Sequence, residues 1–82
     1  MIVEDHRYIS CGGDPFNYLK SVMKGLYFQL DPGQDANILI EKEKFPYTED
    51  IFNGMANASK LKITKYEEKN GEISIILRKS ES

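Results

Sequence analysis

The chain has 82 residues, 40% of them hydrophobic and 29% charged, with one cysteine, one histidine and a formal net charge of −2. A single domain is expected, of a size that buries only about 60% of its extended-chain surface. The lone cysteine excludes an internal disulfide and suits a reducing cytoplasm; the acid excess argues against a domain built to grip a phosphate backbone. One histidine and one cysteine cannot hold zinc without carboxylates or a second chain, so no metal and no cofactor is expected. No apolar run approaches the roughly 20 residues that span a bilayer. Met1-Ile2-Val3-Glu4-Asp5 has no basic region, so no signal peptide is expected.

Tyr8-Ile9-Ser10 reads as a short strand, with a start at Ile2 or Val3 left open. Residues 1–6 and 80–82 are expected to be flexible, with His6 exposed in a mobile N-terminus. Cys11-Gly12-Gly13 breaks the strand, since paired glycines favour a turn. They could also form an anion nest before a helix, but no Walker lysine or dinucleotide fingerprint follows. Asp14 is placed to cap the helix and Pro15 to open it, where a missing N–H costs nothing. Phe16, Leu19, Val22, Met23 and Leu26 recur at helical spacing, with Tyr27 and Leu30 extending the face and Lys20 and Lys24 opposite. Asp31-Pro32-Gly33 ends the helix.

Ile38-Leu39-Ile40 suits a buried central strand, and Lys42 to Pro46 reads as a polar connector. Thr48 is placed to cap a second helix, with Glu49 and Asp50 at its positive end and Tyr47 and Phe52 forming a hydrophobic staple. Its apolar face is read as Ile51, Phe52, Met55 and Ala58. Lys60 to Glu67 reads as a strand. Asn70-Gly71 signals a tight hairpin into a last strand with Ile73, Ile75 and Leu77 pointing inward. A two-residue turn would pair Ile75 with Tyr66, whereas a glycine-bulge turn would pair Leu77 with Ile63; both stay open.

The order β-α-β-α-β-β, with right-handed crossovers, predicts an α+β two-layer sandwich: a four-stranded mixed sheet with two helices packed on one face. The opposite face is expected in solvent, with Lys42, Lys44, Lys62 and Arg78 contributing to it.

From Leu30 onward the chain resembles the small sulfur-carrier proteins of the TusA/SirA type. The resemblance rests on Leu30-x-Pro32-Gly33, the apolar strand after it, Thr48-x-Asp50-Ile51 at the second helix, the Leu61 strand, the acidic turn ending in Asn70-Gly71, and the closing Ile75-Ile76-Leu77-Arg78-Lys79. It implies the same strand–helix order and a role passing sulfur as a cysteine persulfide between protein donors and acceptors. The family's Cys-Pro-x-Pro motif is not preserved. Aligning Pro15 with its first proline puts Asp14 at the cysteine position and Asn17 at the second proline, and Cys11 lies three residues earlier.

Cys11 is therefore the candidate persulfide carrier, within the helix-entrance motif Gly12, Gly13, Asp14 and Pro15. A helix N-terminus lowers a thiol pKa, while a carboxylate beside it raises the pKa. The competing reading of Cys11 is a small packing residue. Two further functions fit the same order. One is a non-catalytic interaction or regulatory module. The other is a nucleic-acid binder, because Asp14-Pro15-Phe16-Asn17-Tyr18 is similar to the first helix of the Alba family. The acidic balance, and the failure of Tyr18, Tyr27, Tyr47 and Tyr66 to form a spaced stacking platform, weigh against nucleic acid. A monomer that carries or binds rather than turns over substrate is expected.

Overall fold

A computed structural model of the protein describes residues 2–7 and 14–79. It contains β1 (Ile2–Asp5), α1 (Pro15–Gln29), β2 (Asp35–Glu41), α2 (Glu49–Ala58), β3 (Leu61–Lys69) and β4 (Glu72–Lys79). The four strands form one mixed sheet in the order β1-β2-β4-β3. β1 runs parallel to β2, and β4 lies antiparallel to both β2 and β3. This is the expected α+β two-layer architecture. β4 enters between β2 and β3, so the hairpin fills the gap that the α2 crossover leaves open.

One face of the sheet carries the core. Ala36, Ile38 and Ile40 of β2 alternate inward with Ile73, Ile75 and Leu77 of β4, all fully buried. They meet Leu19, Met23 and Leu26 of α1 and Phe52, Met55 and Ala56 of α2 in a single cluster. Because strand side chains alternate, Leu39 and Ile76 turn to the other face, where they are half-buried. β2 is thus a central strand with an alternating pattern rather than a continuously buried one.

The N-terminal strand lies earlier than Tyr8-Ile9-Ser10, which falls outside the described residues, as do residues 80–82. Residues 2–5, expected within a loose stretch, pair in register with β2 from Ile2 opposite Ala36 to Asp5 opposite Leu39.

Local signals place the turns. The Asp31 carbonyl accepts from the Gln34 N–H at 2.9 Å, with Gly33 at φ 85°. That is the geometry in which proline precedes a glycine of positive φ. Asn70 and Gly71 take φ 54° and 77° between paired Lys69 and Glu72, a two-residue hairpin. Both open registers occur together. Tyr66 pairs with Ile75 near the turn, and Ile63 pairs with Leu77 beyond it, because a bulge between Ile63 and Lys65 adds one residue to β3. The bulge keeps Leu61 and Ile63 on the core side despite the even-numbered Tyr66 sharing it.

The apolar face of α2 is rotated from the expected one. Phe52, Met55 and Ala56 are buried, whereas Ile51 is 40% exposed and Ala58 faces solvent. Phe52 sets the rotation, since its ring packs against both Tyr47 and Tyr66. The Tyr47 contact is the expected staple. Thr48 occupies the cap position, but its side chain makes no capping bond. Its carbonyl accepts from Ile51 and Phe52. The Lys42–Pro46 connector is not wholly polar: Phe45 is fully buried.

Of the four cations expected on the open sheet face, Lys62 and Arg78 lie there as a cross-strand pair. Lys42 instead donates to the Tyr47 carbonyl at 2.8 Å, and Lys44 reaches Glu41 and the Arg7 carbonyl at the end of the sheet. β3 is an edge strand, and Lys62, Lys65, Lys69 and the bulge protect it from pairing with another chain.

Candidate functional site: the entrance of the first helix

Asp14 precedes α1 with extended backbone angles, φ −80° and ψ 110°, and Pro15 follows as the first helical residue. Asp14 Oδ1 accepts from the Phe16 N–H at 3.0 Å, and Oδ2 accepts from Asn17 Nδ2 at 2.9 Å. The Asp14 carbonyl accepts the first helical bond from Tyr18. Both carboxylate oxygens are engaged, and the negative charge sits on the positive end of the helix. The entrance is already neutralised by the chain itself. Cys11, Gly12 and Gly13 lie outside the described residues, so only Asp14 and Pro15 of the expected motif are positioned.

Aromatic rings wall this end of the molecule. Phe16 packs edge-on against Tyr47 at 5.9 Å, Tyr47 against Phe52 at 6.0 Å, and Phe52 tilts onto Tyr66 at 5.9 Å. The ladder runs from the mouth of α1 across α2 to the edge strand. Burial, and then the carboxylates of Glu68 and Glu49, push the Tyr66 phenol above its ordinary pKa.

A second group escaped the sequence reading. His6 is not a solvent-exposed tail residue. Its Nδ1 lies 2.8 Å from the Tyr18 hydroxyl and its Nε2 lies 3.2 Å from Glu4 Oε2. An ionised carboxylate only accepts, so Nε2 carries the proton. In the neutral ring Nδ1 then accepts from Tyr18. The Glu4–His6–Tyr18 chain ties β1 to the second turn of α1. Glu4 and His6 stand two residues apart, as same-face neighbours in a strand do, and that was the signal available in the sequence.

On the open face, Arg7 grips Asp5 through two bonds of 2.9 Å and reaches Glu72 Oε2 at 2.7 Å. The Arg7 hydrogen bonds lower the Asp5 pKa to about 2. The Arg78 guanidinium likewise holds Asp35 below the usual carboxylate range. These clusters join strands and leave no free base. Among the described residues no group of three His, Cys, Asp or Glu side chains could hold a metal ion, and no helix is long and apolar enough to cross a membrane. The chain matches no protein-family model and no curated protein.

Proposed function

We propose that this chain is a divergent domain of the sulfur-carrier type whose helix entrance has given up the carrier atom. The observation that carries the reading is Asp14. It caps α1 at the position where the resemblance to the TusA/SirA type puts the reactive cysteine, and both of its oxygens are occupied. A carboxylate cannot hold a persulfide. Any sulfur the chain carries rides on Cys11, its only thiol. On this reading it is a cytoplasmic monomer that meets protein donors or acceptors, and it needs no cofactor.

The test restores the missing atom. Asp14→Cys, made with Cys11→Ser, is expected to place a thiol on the N-terminus of α1. Its alkylation should titrate below the ordinary thiol pKa of about 8.5. Offered polysulfide, that thiolate should take one sulfane sulfur and release the shortened polysulfide anion, gaining the mass of one sulfur. A thiol that titrates normally and stays unloaded would remove the sulfur-carrier reading of the entrance. The native protein treated alongside assigns the remaining role. A reducible one-sulfur adduct, lost in Cys11→Ser, marks a carrier. Its absence leaves a non-catalytic interaction module, which the occupied oxygens of Asp14 favour.

A further inference from the structure

At the opposite end of the helical layer, α1 and the end of α2 enclose a cleft of about 290 Å³ lined by Lys20, Lys24, Tyr27, Phe28, Ala58, Ser59 and Lys60. Its floor is apolar and its rim is cationic. Phe28 is 76% exposed, the most exposed large hydrophobic side chain among the described residues, ahead of Val3 at 60%. It stands edge-on to Tyr27 at 5.3 Å. Lys20, Lys24 and Phe28 follow one another at four-residue steps, so they line a single stripe of α1. Lys60 and Lys79 hold their ammonium groups 5.9 Å and 4.5 Å from the Tyr27 ring centre. Among the described residues no carboxylate lines the cleft, and the ion pairs formed elsewhere by Lys42, Lys44 and Lys65 have no counterpart at Lys20, Lys24 or Lys60.

Backbone strain coincides with this rim. Lys60 sits at φ 59°, one of two non-glycine residues with positive φ among those described. The other is Asn70, a residue type that tolerates this region, whereas a lysine here bears strain that glycine would relieve. The chain carries its long cation at a position whose local conformation favours glycine.

We propose that this cleft docks an acidic, amphipathic segment of a partner protein, with an apolar side chain against Phe28 and Tyr27 and carboxylates on Lys20, Lys24 and Lys60. Charge complementarity selects this occupant. The chain as a whole is acidic, and Glu41, Glu43 and Glu72 gather at the hairpin end. The nine residues of β3 separate the two ends, roughly 30 Å at about 3.3 Å per residue. That is several Debye lengths at physiological salt. A short acidic segment meets only the cationic end, whereas a long polyanion running past it meets the acidic remainder. The inference stands apart from the sulfur reading, because it uses neither Asp14 nor Cys11.

The experiment titrates the intact protein into a fluorescein-labelled peptide of about twelve residues, glutamates with leucines at helical spacing, and follows polarisation. Saturable binding with a Kd below about 100 µM is expected. Lys24→Glu should weaken it by at least about five-fold, and Phe28→Ser should do the same, while Lys69→Glu, which changes net charge equally at the far end of β3, should leave it within about two-fold. Circular dichroism of each variant verifies the fold. The proposal is overturned by no saturable binding, by equal losses in Lys24→Glu and Lys69→Glu, or by a thymidine oligonucleotide of the same length binding more tightly than the peptide.

Discussion

Asn17 donates to Asp14 at 2.9 Å, so the first turn of α1 closes on its own cap. The geometry identifies Asp14 as a structural residue in the present sequence. Asp14→Ala leaves the Phe16 N–H and the Asn17 amide without their acceptor. It is expected to destabilise the fold by about 1 kcal/mol, a loss of several degrees in Tm for a domain of this size. Asp14→Asn keeps an acceptor and should cost less. Thermal unfolding followed by circular dichroism checks both, and equal stability of Asp14→Ala and the native chain would show that the cap carries no weight.

The Asp5–Arg7–Glu72 cluster predicts an acid dependence. Asp5 has its pKa lowered from 3.8 to about 2 in the fold. A depressed carboxylate contributes stability that is fully present above its unfolded pKa and lost as pH falls through its folded pKa. Asp35 shifts in the same direction through Arg78. The native protein should therefore lose stability as pH drops from about 4 towards 2, and Asp5→Asn should flatten that slope. Urea midpoints measured across the range decide it. An unchanged slope in Asp5→Asn would show that the Arg7 contact does not persist in solution.

The hairpin predicts an asymmetry between neighbouring turn residues. Gly71 holds φ 77°, and a Cβ added there would meet nothing within 4 Å. The cost of Gly71→Ala is therefore conformational rather than steric, on the order of 1 kcal/mol or more. Asn70→Gly, at φ 54°, should be near neutral because glycine accepts the same angles. Chemical denaturation of the two variants checks the difference. Equal losses would contradict the two-residue turn.

Phe45 predicts the largest single loss. It is fully buried between the end of β2 and α1, where its ring lies 6.2 Å from that of Tyr18. Phe45→Ala should cost roughly 3–5 kcal/mol, a large part of the roughly 5–15 kcal/mol that holds a domain together. Phe45→Leu should recover most of it. A surface-like loss below about 0.5 kcal/mol would mean that the connector is not part of the core.

The residues that announced themselves in the sequence are those whose conformation is set within a few bonds. Asp14-Pro15, Pro32-Gly33 and Asn70-Gly71 act through fixed φ, positive φ or a short side-chain bond, and all three stand where expected. Alternation in Ile73, Ile75 and Leu77 was equally plain, because a strand with one solvated face repeats every two residues. These local preferences carried the order of elements and the α+β class.

Other features depend on atoms distant in the chain. The Thr64 bulge satisfies two pairings that a uniform register would make exclusive. The rotation of α2 follows from Phe52 fitting between rings of Tyr47 and Tyr66, and a ten-residue helix with Asn53, Gly54 and Asn57 has too weak a pattern of its own to fix its inward face. Phe45 hides in a segment whose neighbours are lysines and a glutamate. His6 finds Tyr18 only once β1 lies beside β2 and α1 crosses above them, and Lys60 joins Lys20 and Lys24 only when the end of α2 meets the side of α1. Sequence by itself determined the order of the elements, the Asp14 cap and the glycine turns, since backbone sterics act locally. Which side chains share a surface was decided by packing, since burial is a property of the assembled layers and not of any one of them.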